Sequence, residues 1–221
     1  MQLDFSWISQ YEDAIVSGIL VTIRLTAIGG GIGFLLGVMT AWARLYGGDA
    51  LRTIVVAYVE VIRNTPFLVQ LLFIFFGLPA LGLRLSAEIS GIIALIVNTG
   101  AYMGEILRGG IEATPKGQFE AASSLALSRL QTFRHVILFP SVQRVWPALV
   151  AQFVLDMFQT SVVSQIAVQE LTFVASFIQS RNFRAFETYI FMAGTYLVMA
   201  FILRRLLLIA GHYVLRAGAV K

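Results

Sequence analysis

The sequence contains no cysteine and few charged residues. Of its 221 residues, 13% are charged and 58% are hydrophobic, whereas a soluble globular domain carries about 25% charged residues. The absence of cysteine excludes disulfides, thiolate zinc sites, iron–sulfur clusters and cysteine nucleophiles. Because the chain has only His135 and His212, we expect no multi-histidine metal or haem site. The scarcity of charge predicts a membrane protein with little mass outside the lipid.

Long apolar runs predict five transmembrane helices. A helix needs about 20 mostly apolar residues to cross a bilayer. The sequence therefore predicts an all-α, multi-pass integral membrane protein, a single transmembrane domain over residues 1–221 with a core at about 14–211. An odd number of spans places the two termini on opposite sides. The five runs lie at 14–43, 53–79, 89–107, 145–168 and 189–210.

The distribution of the 16 Lys and Arg residues predicts the orientation. If the N-terminus lies outside, the segments at 44–52 and 108–144 and the C-terminal end are cytoplasmic. They hold most of the cations, and cytoplasmic segments of membrane proteins are enriched in Lys and Arg. We therefore expect an outside N-terminus and a cytoplasmic C-terminus. The cytoplasmic cations are Arg44, Arg52, Arg108, Lys116, Arg129, Arg134, Arg144, Arg204, Arg205, Arg216 and Lys221, the outer ones are Arg84, Arg181 and Arg184, and Arg24 and Arg63 lie inside spans.

The longest cytoplasmic segment, at 108–144, contains a short helical pattern. Pro115 ends the third span, and a helix is predicted from near Gly117. Such a helix is too short to cross the membrane, so it lies at the membrane surface, as an anchor for the loop, or docks into a soluble partner. The residues at helical spacing are Phe119, Ala122, Leu125, Ala126 and Arg129.

Several motifs in this sequence occur together in one family. The loop carries Glu120-Ala121-Ala122 and, further on, Leu138 and Pro140. Further motifs lie at 63–70, 98–102, 105–110, 115–118, 160–161 and 170–171. In their order and spacing, over about residues 18–211, they resemble permease subunits of bacterial ATP-binding-cassette importers of polar amino acids. The chain departs from that pattern at Ala126, where the family usually has glycine, at Phe139, inserted before Pro140, and at Phe158-Gln159, where Lys-Asp or Lys-Asn is common.

The resemblance implies a fold, a location and a set of partners. It implies the type I importer transmembrane fold in the bacterial cytoplasmic (inner) membrane, and a non-catalytic subunit without a cofactor of its own. ATP and magnesium would be held by two cytoplasmic ATPase subunits. The other implied partners are a non-identical sister permease, an extracytoplasmic amino-acid-binding protein and membrane lipid, with no nucleic acid. The residues implied in coupling to the ATPase are Glu120, Ala121, Ala122, Ala126, Arg129 and Arg134.

Polar side chains inside the spans are the candidates for contact with substrate. Gln152, Asp156 and Gln159 share one helical face of the fourth span, with Leu155 beside them, and Asn98 and Tyr102 lie one turn apart in the third. An ammonium group needs oxygen acceptors and a carboxylate needs N–H or O–H donors, and these side chains supply both. The alternative is that they only form hydrogen bonds between neighbouring helices.

The end of the second run carries a charge followed by a helix breaker. Pro66 follows Arg63 closely and should break the helix. We expect Glu60, Arg63, Thr65 and Pro66 to have a structural or gating role, with Glu60 pairing Arg63 at i−3, in preference to direct contact with substrate. Glu105, at the end of the third span, is expected in a salt bridge.

Two other classes of function are compatible with a five-span protein. An intramembrane hydrolase would use Asp156 with Glu60 or Glu105, but these carboxylates lie on different spans and no Ser/His cluster accompanies them. An ion-coupled carrier should show internal repeats, which the five unlike spans lack. The glycines at 29–33 are not followed by the Gly-Lys-Ser/Thr of a phosphate-binding loop, so an ATPase would have to be a partner. Which amino acid is carried, and whether the two permeases are identical, stay open.

Overall fold

The computed structural model describes residues 3–217, with side chains as far as residue 215, and within this range all regular structure is helical. Lys221 and the side chain of Arg216, both counted above among the cytoplasmic cations, lie outside the described residues. The α-helices are α1 (Glu12–Tyr46), α2 (Asp49–Arg63), α3 (Phe67–Leu72), α4 (Leu78–Ala80), α5 (Ala87–Glu112), α6 (Lys116–Ser124), α7 (Arg129–Gln131), α8 (Phe139–Val163), α9 (Leu171–Asn182) and α10 (Ala185–Ala217).

The expectation of about five spans is confirmed. Four of the described helical stretches are long and apolar enough to cross a membrane, and a fifth span results if α2 and the stretch Phe67–Ala80 count as one. That span is bent by 110° at its break. Pro66 causes the break because its ring carries no N–H group and clashes with a preceding helical turn. A π-helical turn at Phe73–Gly77 then joins α3 to α4.

Glycine allows α1 and α5 to approach closely. Gly29, Gly33 and Gly37, one turn apart on α1, lie against Leu95, Thr99 and Met103 of α5. A Cβ atom on Gly33 would lie 2.5 Å from the Cβ of Thr99. Since apolar burial does not drive helix association in lipid, close contact of this kind supplies dispersion energy instead. The constant offset between partners makes the two helices parallel.

A short segment that contains a buried carboxylate joins α9 and α10 to α1. Glu170 precedes α9, and its Oε1 accepts a hydrogen bond from the backbone N–H of Phe173 at 2.8 Å. Its Oε2 accepts one from the hydroxyl of Tyr196 on α10 at 2.6 Å. The next residue, Leu171, donates its backbone N–H to Thr22 of α1 at 3.2 Å. One short segment thereby joins three helices, and α9 itself was not predicted from the sequence.

The loop between α5 and α8 differs from the single helix predicted from near Gly117 to Arg129. That prediction is wrong beyond Ser124, because Ala126 adopts a left-handed conformation with φ 51°. Ser128 then begins α7 with a capping box, in which its hydroxyl accepts from the N–H of Gln131. A π-helical segment, Thr132–Leu138, continues into α8. The fourth span therefore begins well before residue 145, and the irregular loop is shorter than predicted.

Candidate functional site

Buried polar side chains on α5, α8 and the broken second span form two hydrogen-bonded pairs inside the bundle. Asp156 is 1% exposed, and its Oδ1 accepts a hydrogen bond from Gln152 Nε2 at 2.8 Å. Asn98 on α5 is 2% exposed and donates its Nδ2 to Gln70 Oε1 of α3 at 2.9 Å. The structure therefore places three predicted residues, Asn98, Gln152 and Asp156, inside the chain's own helix bundle.

Gln70 connects this polar cluster to the break in the second span. Its Nε2 donates to the carbonyl oxygen of Ile62 at 2.8 Å and to the hydroxyl of Thr65 at 2.8 Å. A helix break frees backbone carbonyls, and these must find donors inside a membrane. Gln70 supplies such donors while its oxygen holds Asn98. It was not predicted as a site residue, although it ends the motif at 63–70, and an amide four residues after a proline was the available signal.

Several oxygens in this region are buried without a hydrogen-bond partner. Among the described residues, Asp156 Oδ2, Asn98 Oδ1 and Gln159 Oε1 have none, and neither does the hydroxyl of Thr99. Buried polar atoms are nearly always paired, with protein, water or ligand. Three of these four atoms are acceptors only. The cluster therefore suits a group that brings N–H donors.

The residues of the predicted polar face of α8 differ in burial. Asp156 and Gln152 point into the bundle, whereas Leu155 is 53% exposed on the outside of the chain. Gln159 is half-buried between them. Tyr102, predicted beside Asn98, has the Arg63 guanidinium 5.6 Å from its ring centroid. Contact of these residues with a substrate stays a prediction.

A second polar group surrounds Glu105 near the end of α5. Its Oε2 accepts from Arg44 Nη1 at 2.7 Å, its Oε1 accepts from Arg108 Nε at 2.9 Å, and Arg63 Nη1 lies 3.6 Å away. The salt bridge expected for Glu105 is confirmed. The expected Glu60–Arg63 pair is wrong, because Arg63 ends α2 and turns towards α5, while Glu60 accepts from Asn64 Nδ2 at 3.1 Å.

The loop around α6 presents a mixed surface. Ala122 is buried, whereas Glu120, Ala121, Arg129 and Arg134 are exposed. Two large apolar side chains are exposed as well, Leu125 at 73% and Leu130 at 64%. Phe119 and Phe133 contact the hydrophobic core of α5 and α8 and fix the loop to the bundle. The exposed part suits docking to another protein, but coupling by these residues stays a prediction.

Comparison with known proteins identifies the family. Residues 33–211 match the family described as binding-protein-dependent transport system inner membrane component. This chain belongs to that family. The resemblance inferred from the sequence motifs is confirmed, and the chain is a non-catalytic, multi-pass permease subunit of an ATP-binding-cassette importer that works with other transporter subunits.

The relatives extend over nearly the whole permease. It is 36% identical over 212 residues to the glutamine transport system permease protein GlnP of Escherichia coli (strain K12), covering 93% of this chain and 97% of the relative. It is 35% identical over 195 residues to the probable glutamine ABC transporter permease protein GlnM of Bacillus subtilis (strain 168), covering 88% of each. The crystal structure of an amino acid ABC transporter with histidines superposes with a TM-score of 0.85 at 36% identity, over 97% of this chain and 100% of that chain.

Proposed function

We propose that this permease carries glutamine or a closely related polar amino acid into the bacterial cytoplasm by alternating access. The observation that carries the proposal is the set of buried, unpartnered acceptors, Asp156 Oδ2, Asn98 Oδ1 and Gln159 Oε1. The α-ammonium and side-chain amide of glutamine are N–H donors of the required kind. The names of the relatives support the same class of substrate.

The proposed binding residues are Asn98, Tyr102, Gln152, Leu155, Asp156 and Gln159. The deepest, Asp156, is 1% exposed, so substrate reaches it only after α5, α8 and the broken second span move apart. We assign that movement to the segment of Glu60, Arg63, Thr65 and Pro66, since a helix break is the place where a span bends at low cost. The substrate carboxylate needs donors, which the Thr99 hydroxyl and the sister permease supply.

The proposed assembly contains a non-identical sister permease, two cytoplasmic ATPase subunits that hold ATP and magnesium, and an extracytoplasmic amino-acid-binding protein. It lies in the bacterial inner membrane with the N-terminus outside, as the positive-inside distribution of Lys and Arg favours. The α6 loop, through Glu120, Ala121, Ala122, Ala126, Arg129 and Arg134, receives the movement of the ATPases. Exposed Leu125 and the exposed charges on that loop support docking.

A transport screen of the reconstituted complex with Asp156→Asn tests the substrate site. We expect wild-type complex to import glutamine, and Asp156→Asn to reduce uptake by about 10–100-fold, because a hydrogen bond to a charged group contributes about 1.5–3 kcal/mol. The matched control, Asp49→Asn, changes an exposed carboxylate at the start of α2 and should retain uptake. Unchanged uptake and selectivity in Asp156→Asn would remove the proposed site.

A further inference from the structure

A cavity of about 410 Å³ lies between α1, α2 and α5, at the end of the bundle that carries the α6 loop. It is separate from the polar cluster around Asp156 and shares none of its residues. Its charged lining has both signs and sums to zero. The charged residues that line it are Arg44, Arg52, Arg108, Glu60, Glu105 and Glu112, and the apolar ones include Leu45 and Val56.

Four of these six charges are already paired. Glu105 is bound by Arg44 Nη1 at 2.7 Å and by Arg108, and Arg108 also pairs with Glu112. These contacts consume one edge of the Arg44 guanidinium. Its Nε is buried and has no acceptor among the described residues. A guanidinium edge of this kind matches the two oxygens of a carboxylate.

The unpaired charges lie on one face of α2. Arg52, Val56 and Glu60 follow one another at intervals of four residues and all line the cavity, so the Cα atoms of Arg52 and Glu60 stand about 12 Å apart along the helix axis. Both side chains are long and reach into the same cavity. The guanidinium of Arg52 has no hydrogen bond or ion pair with any described residue, and the carboxylate of Glu60 is bound only by the side-chain amide of Asn64. A purely anionic ligand would leave Glu60 unpaired, and a cation would leave Arg52 unpaired.

We propose that this cavity binds a zwitterion, a free amino acid, from the cytoplasm. The ligand's carboxylate is held by Arg44 and Arg52 and its ammonium by Glu60. This inference rests on the proposed function for the side of the membrane and for the class of ligand. It assigns a second site for the transported compound, at the exit from the membrane.

Occupation of this site would slow the next transport cycle. Within α2, which the structure describes completely, Val59 is the single buried side chain. The helix is held to α5 by a hydrogen bond from Tyr58 to the carbonyl oxygen of Val97, at 2.5 Å, and by the contact of Arg63 with Glu105. A ligand that bridges Arg52 and Glu60 to Arg44 ties α2 to α1 and α5, so accumulated product holds the permease in this arrangement.

The absence of cysteine makes a direct test available. Leu45→Cys places one thiol on the lining of the cavity, and its alkylation by a maleimide is followed in the assembled transporter in nanodiscs. We expect L-glutamine to slow alkylation at least threefold, glycine to do so at higher concentration, and sodium acetate to have no effect at equal ionic strength. Ile54→Cys, on an exposed part of α2 outside the cavity, is the control and should react at one rate throughout.

Two further variants separate binding from a general change of structure. Added to Leu45→Cys, Arg52→Gln should raise the half-protecting glutamine concentration at least tenfold, and Val56→Phe, which fills the cavity and keeps its charges, should abolish protection. Arg204→Gln, on exposed α10, should leave protection unchanged. The inference is overturned if glutamine does not protect the thiol, or if acetate protects it equally well. It is also overturned if glutamine protects the thiol as well after Arg52→Gln and Val56→Phe as it does without them.

Glutamine uptake by the same reconstituted transporter distinguishes the two proposals. If the transporter imports glutamine but glutamine does not protect the thiol of Leu45→Cys from the maleimide, the second site is ruled out and the proposed function stands. Loss of all amino acid uptake by the wild-type complex would remove the proposed function itself.

Discussion

At the scale of single residues, Ala126 holds a backbone conformation that favours glycine. Its φ of 51° lies in the left-handed region, where a Cβ atom crowds the following carbonyl. The conformation ends α6 with backbone hydrogen bonds from Ala126 to Ser123 and from Leu127 to Ala122. Alanine retains this turn at a cost that glycine would not incur.

Ala126→Gly should therefore stabilise the permease. We expect the free energy of unfolding to rise by about 1 kcal/mol. The left-handed conformation costs an alanine about 1–2 kcal/mol, and part of that gain is offset because glycine loses more conformational entropy when the chain folds. Ala121→Gly, at an exposed position within α6, should cost about 1 kcal/mol instead. Thermal unfolding of the purified complex measures both, and a lower midpoint for Ala126→Gly would contradict the assigned backbone.

Glu170 predicts a dependence of stability on pH. Burial raises the pKa of this carboxyl, although the hydrogen bond from Tyr196 opposes the change. The folded chain then holds the proton more tightly than the unfolded chain. The stability contributed by the protonated form is complete below the unfolded pKa, about 4.3, and is lost as pH rises through the higher folded pKa.

Glu170→Gln removes the titrating group. As pH rises above about 4.3, the ordinary pKa of a glutamate, we expect the unfolding midpoint of wild type to fall relative to that of the variant. Tyr196→Phe removes a hydrogen bond but keeps the carboxyl, so its midpoint should still fall. Parallel profiles for wild type and Glu170→Gln would contradict the raised pKa.

From the sequence, contacts along one helix could be predicted, but contacts between helices could not. Spacing along one helix identifies Gln152 and Asp156 as neighbours, and their hydrogen bond follows that spacing. The contact of Arg63 with Glu105 joins residues on different helices. It depends on the direction of α2 after packing, which local spacing does not contain, so the nearer Glu60 was wrongly preferred.

At the scale of helices, the glycines of α1 are not equivalent. Gly33 faces Thr99 at a distance that leaves no room for a Cβ atom, whereas Gly31 faces open space with no atom within 4 Å. Gly33→Ala should therefore destabilise the permease by about 1–3 kcal/mol through overpacking. Gly31→Ala should be neutral or stabilising by up to about 1 kcal/mol. Denaturant unfolding in detergent compares them, and equal effects would contradict the close α1–α5 contact.

The helix break that a residue type forces, at Pro66, was predicted from the sequence. The helix end that depends on backbone conformation, at Ala126, was missed. Pro66 lacks an N–H group, so a break after Arg63 was predictable, but the 110° bend depends on contacts of α3 with α5. The end of α6 was missed because alanine favours helix, and nothing local announces a left-handed Ala126. The helix α9 was missed as well, since its fastening by Glu170 and Thr22 joins distant parts of the chain.

At the scale of the whole molecule, the polar and apolar surfaces have different uses. In the most apolar stretch of α10, 6% of the residues are buried within the chain. The other side chains of this stretch are available for contact with lipid or with a neighbouring subunit. The charged cluster around Glu105 and the α6 loop share one end of the bundle, while the Asp156 cluster lies inside it. This arrangement separates the proposed substrate contact from the proposed contact with the ATPases.

ATP-driven uptake by proteoliposomes shows whether this chain is an amino acid permease coupled to an ATPase. The complex of this permease with its sister subunit, its ATPases and the amino-acid-binding protein should import glutamine with ATP present and not without it. The double change Glu120→Arg with Leu125→Asp alters two exposed loop residues; it should leave the permease inserted and folded but abolish ATP-driven uptake and retention of the ATPase. Full uptake by that variant, or uptake by the permease without any ATPase, would contradict the account.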